Sequence, residues 1–76
     1  MKHQRVLLTI HGLTYGGGGA LAVERALERT PGVVWASVNA ATEMAYVEYD
    51  PSVANLDLLM ASVERAGFGA GEPSAR

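Results

Sequence analysis

Val6-Leu7-Leu8-Thr9-Ile10-His11-Gly12-Leu13-Thr14-Tyr15-Gly16-Gly17-Gly18-Gly19-Ala20-Leu21 is the stretch on which the fold turns. Arg5 to His11 is rich in apolar and β-branched residues, which predicts a mostly buried strand. From Ala20 to Thr30, Leu21, Val23, Ala26 and Leu27 fall at helical spacings, with Glu24, Arg25, Glu28 and Arg29 on the other face. Between strand and helix, residues 12–19 read GLTYGGGG. Such a strand, loop and helix set backbone N–H groups and a helix N-terminus beside one surface site. The site has the geometry of function and almost no chemistry, because its loop holds no cysteine, lysine or carboxylate.

Beyond the helix, Pro31-Gly32 is a stop. Val33 to Ala40 is a second strand, with Val34, Ala36 and Val38 alternating against Trp35, Ser37 and Asn39. Asn39-Ala40-Ala41-Thr42 makes a short hairpin into a third strand, Glu43 to Asp50, where Ala45, Val47 and Tyr49 alternate with Met44, Tyr46 and Glu48. Asp50-Pro51 ends it, Asn55 or Ser52 caps a second helix, and Leu56, Leu59, Met60 and Val63 form its buried stripe. Gly67 closes that helix, and Phe68-Gly69-Ala70 is a short fourth strand. The order is β-α-β-β-α-β. Right-handed crossovers place both helices on one face of a single four-stranded antiparallel sheet, the ferredoxin-like α+β fold. The residues expected to pack on that face are Leu21, Ala26, Leu27, Leu56, Leu59, Met60 and Val63.

Seventy-six residues make one domain, expected over residues 1–70, with Gly71-Glu72-Pro73-Ser74-Ala75-Arg76 (71–76) as a tail or a linker to a longer protein. With 49% hydrophobic and 18% charged residues the chain lies well outside the disordered regime and buries a core. A net charge of -2, with six basic residues scattered from Lys2 to Arg76, argues against a nucleic-acid partner. The lack of any cysteine excludes disulfides, thiolate metal sites and thiol nucleophiles. No stretch reaches the roughly 18 apolar residues of a membrane span, and Met1-Lys2-His3-Gln4 leads into a strand rather than a signal peptide. A soluble, cytoplasmic chain is therefore expected.

Several segments, taken in order, carry a resemblance. They are Ile10-x-Gly12-Leu13-Thr14, Val23-Glu24-x-Ala26-Leu27, Pro31-Gly32-Val33, Ala36-x-Val38-Asn39-x-Ala41-Thr42-Glu43-x-Ala45-x-Val47, Tyr49-Asp50-Pro51 and Val63-Glu64-x-Ala66-Gly67-Phe68. Over nearly the whole chain, Val6 to Ala70, this resembles the heavy-metal-associated domains of copper chaperones, mercury-binding proteins and the N-terminal tails of metal-pumping P-type ATPases. The resemblance implies a non-catalytic domain whose relatives carry Cu(I) or another soft metal and hand it on by docking to a partner. The family places Cys-x-x-Cys directly after Gly-Met-Thr, and those two ligand positions fall here on Tyr15 and Gly18.

Two thiolates at i and i+3 grip Cu(I) linearly, and the helix N-terminus lowers their pKa. A phenol with a pKa of about 10 and a residue without a side chain reproduce none of that. No metal cofactor is expected from the chain as it stands. Either a natural member has abandoned thiolate binding or the site has been altered. Gly16 and Gly17, which a two-residue change would leave alone, favour the first.

His11, directly before the loop, is a weak candidate ligand, more simply read as a solvated strand-end histidine. His3 and His11 lie eight residues apart on one extended segment, too far to share an ion. Tyr15 either covers the loop or is an exposed anchor for a partner. Gly16 to Gly19 allow an anion nest, but Gly16-Gly17-Gly18-Gly19-Ala20-Leu21 fails the last glycine of a dinucleotide fingerprint and lacks the Lys-Ser/Thr of a phosphate loop. Met44 and Met60 read as packing residues. Glu43, Glu48 and Asp50 read as a solvated acidic face. No Ser/His/Asp or paired-carboxylate constellation is present, so no catalysis is expected. The leading expectation is a heavy-metal-associated-type domain, chaperone-like or from the N-terminus of a metal-transporting ATPase, without its thiolate site. It would dock a metal-handling partner, an ATPase domain or weakly a second copy through Leu13, Thr14, Tyr15, Gly16 and Gly17, unless Leu13 tucks under the loop as core, as the resemblance implies for the equivalent methionine, and leaves Tyr15 as the only exposed anchor. The alternative is a regulatory module that holds a small anion in the glycine loop.

Overall fold

The computed structural model describes residues 2–13, 18–71 and 74–75. Strand β1 (Gln4–His11) is central, because it carries the longest apolar run of the sheet. Val6, Leu8 and Ile10 alternate onto one buried face. Strand β3 (Met44–Tyr49) lies antiparallel beside it, with Val6 opposite Val47 and Leu8 opposite Ala45. Strand β2 (Val33–Asn39) pairs with the far side of β3, and β4 (Gly69–Ala70) with the other side of β1. The strand order is β2-β3-β1-β4, and the element order β-α-β-β-α-β is the ferredoxin-like one expected from the sequence. One further pair, β5 (Ser74–Ala75), lies against Leu7 and Val6 on the same side of β1 as β4. Part of the segment expected as a tail therefore joins the sheet.

Helices α1 (Gly19–Glu28) and α2 (Leu56–Arg65) cover the apolar face. Gly19, Val23 and Leu27 form the buried row of α1, and Leu59 and Val63 that of α2. Leu21, expected in the core, is 50% exposed. Residues four apart share a helix face, whereas one placed two from Gly19 and Val23 lies on the opposite side. Ala26, Leu56 and Met60 are partly buried at the edges of the two stripes. Val34 also departs from expectation and points outward, 52% exposed. A bulge between Val33 and Trp35 adds one residue to β2, so Val33, not Val34, joins Ala36 and Val38 against the core.

The termini of α2 are built by their own residues. Of the two expected caps it is Asn55 that serves, its Oδ1 accepting from the Leu58 N–H at 2.8 Å. Ser52 instead closes a turn on Asp50. Gly67 has φ 96°, and behind it the N–H groups of Gly67 and Phe68 bond Glu64 O and Val63 O at 2.9 and 3.2 Å. This Schellman closure points Phe68 back at the core. The helices also share a polar seam that hydrophobic patterning does not announce. Thr30 Oγ1 and Ser62 Oγ, both buried, lie 2.6 Å apart.

Candidate functional site at the start of helix α1

The end of β1 and the first turn of α1 frame the site. Leu13 is buried, 9% exposed, and belongs to the main core cluster. It leaves the set of exposed contact residues in which the sequence placed it. Its isobutyl group packs within that cluster beside Gly19, at the start of α1. Thr14, Tyr15, Gly16 and Gly17, the remaining expected contact residues, lie outside the described residues.

Gly18, the second family ligand position, is the N-cap of α1 at φ 74°, in the left-handed region. A Cβ there would meet nothing within 4 Å, so the position is open but conformationally reserved for glycine. Its carbonyl accepts from Ala22 N–H at 3.1 Å. The first turn has no side-chain cap and no acidic residue. Gly19 is buried, and a Cβ on it would stand 3.3 Å from Leu13 Cδ2 and 3.0 Å from Phe68 Cε2. The helix start is thus seated on Leu13 and Phe68. The scaffold beneath the site is packed, while the site offers helix N–H groups and no soft donor.

His11 is exposed at the end of β1, opposite Gly69. His3 stands at the other end of the strand with its Nδ1 3.2 Å from Glu48 Oε2. The two imidazoles are not brought together. Among the described residues no three His, Cys, Asp or Glu side chains gather as metal ligands. Glu48, read as part of a solvated acidic face, instead sits between His3 and Arg5, whose Nε is 3.4 Å from its Oε1. Asp50 is bound by the Ser52 hydroxyl at 2.6 Å and the Ser52 N–H at 2.9 Å, and these bonds hold its carboxyl below the ordinary 3.8. No helix among the described residues is long and apolar enough to cross a membrane.

Among the described residues the largest exposed apolar groups lie elsewhere. Trp35 and Tyr46, 51% and 41% exposed, stand on the sheet face away from the helices, around a hollow also lined by Arg5 and Glu48. Strand alternation fixes this face, since the Trp35–Glu48 and Ser37–Tyr46 pairs are out of phase with the core-facing Ala36–Val47 and Val38–Ala45 pairs.

Residues 8–69 match the heavy-metal-associated domain family. The copper-transporting ATPase HMA4 of Oryza sativa subsp. japonica is 49% identical over 49 residues, covering 64% of this chain and 5% of its own length. A copper-exporting P-type ATPase of Staphylococcus epidermidis is 34% identical over 67 residues, 88% of this chain and 8% of its own. The chain thus spans only 5% to 8% of the length of these relatives. Among solved structures, a copper binding domain from HMA7, a P-type ATPase, superposes with a TM-score of 0.91 at 27% identity, over 96% of this chain and 97% of that one. The N-terminal domain of a potential copper-translocating P-type ATPase from Bacillus subtilis, in its Cu(I)-loaded state, gives 0.83 at 30% identity, over 91% and 85%.

Proposed function

The chain belongs to the heavy-metal-associated domain family, and on that premise we propose that it is a docking domain of a copper-handling system without cargo of its own. The observation that carries this reading is a contrast within one site. Leu13, Gly19 and Phe68 keep the start of α1 packed in place, while the two ligand positions hold Tyr15 and Gly18 in a chain with no cysteine. A scaffold maintained around an empty ligand set retains shape for a protein to recognise, not affinity for a soft ion. The domain is non-enzymatic. Its partner would be a metal-handling protein or an ATPase domain, met through loop residues 14–17 and the first turn of α1. Tyr15 would be the anchor now that Leu13 is core.

Titrating ¹⁵N-labelled protein with a copper-ATPase N-terminal domain or a copper chaperone tests the reading. Shifts are expected at Gly12, Gly18, Gly19 and Ala20, and Tyr15→Ala should weaken the association by about 1–3 kcal/mol. Perturbations centred on Trp35 and Tyr46 would move the docking surface to the open sheet face and overturn the loop assignment.

A further inference from the structure

Glu24 makes a contact that neither the core nor the docking reading requires. It stands on α1, partly buried, and its Oε2 accepts a hydrogen bond from the main-chain N–H of Val38 at 3.2 Å. Val38 lies on β2, the outermost strand of the sheet, which has β3 on one side only. An N–H of β2 that reaches a helix side chain points away from β3. In an antiparallel edge strand the outward groups recur every second residue. The N–H of Ala36 and the carbonyls of Ala36 and Val38 therefore face outward as well. Such a row is a template for another strand.

The strand's own residues do little to prevent that. Val33-Val34-Trp35-Ala36-Ser37-Val38-Asn39 contains no charge and no proline, the usual devices that blunt an edge. Val34 and Trp35 are more than half exposed, at 52% and 51%. The bulge between Val33 and Trp35 twists one end away. The other end is covered by Glu24.

We propose that Glu24 guards this edge, and that what it keeps off is β2 of a second copy of this chain. The second copy fits because pairing about Ser37 is self-complementary. Ala36 of each copy then lies opposite Val38 of the other, and the two residues exchange both N–H···O bonds at each position, a two-fold interface clear of the bulge. With the Glu24 carboxylate on Val38 N–H, one of the two donors each copy brings is already taken. The inference stands independently of the docking reading, since it involves neither the loop nor the start of α1.

Sedimentation velocity over a concentration series, with amide hydrogen exchange, tests it on three variants. Glu24→Ala places the strongest helix former at a helix position, so the fold is retained, which a ¹H–¹⁵N spectrum checks. It should dimerise at least tenfold more tightly than the wild type, with the Ala36 and Val38 amides slowing as dimer forms. Glu24→Gln keeps an acceptor and should sediment as the wild type does. Glu24→Ala/Ser37→Lys sets two lysines against each other at the pairing centre and should return to monomer. A folded Glu24→Ala that stays monomeric overturns the proposal. So does association of that variant through any surface other than β2, or a wild type that already pairs through Ala36 and Val38.

Discussion

Gly19 and the ring of Phe68 are in contact so close that a Cβ added at position 19 would stand 3.0 Å from Cε2 and 3.1 Å from Cζ. The close of α2 thereby sets where α1 begins, because Phe68 is delivered by the Schellman turn at Gly67. Gly19→Val should cost roughly 1–3 kcal/mol by overpacking. In a Phe68→Leu background the same substitution should cost less, and a double-mutant cycle in urea would measure the coupling. Equal costs in both backgrounds would show that the contact does not constrain the helix start.

Leu27 and Leu21 face opposite ways on α1. Leu27 is fully buried and Leu21 is 50% exposed. Leu27→Ala should cost about 2–5 kcal/mol, enough to threaten so small a domain. Leu21→Ala should stay within about 0.5 kcal/mol of the wild type. Denaturant midpoints of the two variants would separate them directly.

The difference between these leucines shows what was legible in the sequence. Helix α1 announced itself, but four apolar residues at helical spacing leave its phase undetermined until Gly19 is known to be buried. The order of elements and the β2–β3 hairpin followed from periodicity, from Pro31-Gly32, from Asn39 to Thr42 and from Asn55. The bulge that turned Val34 outward and the Thr30–Ser62 seam did not, because each depends on long-range contacts. At the site, the missing thiolates were plain in the residues. Leu13 was readable either as an exposed contact or as core, and burial decides for core; that Gly18 is left-handed was not legible, since backbone conformation at a cap is set by how the helix starts.

Glu43 is the one non-glycine among the described residues with positive φ, at 57°. It closes the β2–β3 hairpin, and its carbonyl accepts from Ile10 N–H at 2.8 Å. Holding a glutamate in the left-handed region costs about 1–2 kcal/mol. Glu43→Asn, a residue that tolerates this conformation, should raise stability by about 0.5–1 kcal/mol. A thermal melt showing no gain would mean that the glutamate side chain makes an offsetting contribution.

Asp50 predicts a pH dependence of defined sign. Its carboxyl is held below the ordinary 3.8 by the Ser52 hydroxyl and then the Ser52 N–H. A group whose folded pKa is depressed contributes stability above its unfolded value, about 3.9, and that contribution is lost as pH falls through the folded pKa. The carboxyl should therefore titrate below 3.8 by ¹³C NMR. Asp50→Asn should flatten part of the loss of stability on acidification. A midpoint at or above the ordinary value would show that the Ser52 bonds do not form in solution.

Restoring the missing ligands tests the site itself. As it stands, the protein should compete with a chelator for Cu(I) no better than a generic histidine-bearing surface. Tyr15→Cys/Gly18→Cys should bring Cu(I) binding back, since two thiolates beside a helix N-terminus suit the ion. The restoration should be incomplete, however. Position 18 has φ 74°, and a cysteine there either accepts about 1–2 kcal/mol of strain or reshapes the loop. The metal-free double variant should therefore be less stable than the wild type by about that amount, and Gly18→Ala should show the same deficit without the thiol. Cu(I) should then raise the melting temperature of the double variant and leave that of Gly18→Ala unchanged. If Gly18→Ala costs nothing, the left-handed cap is not required, and cysteine at both positions should suffice for full recovery of binding.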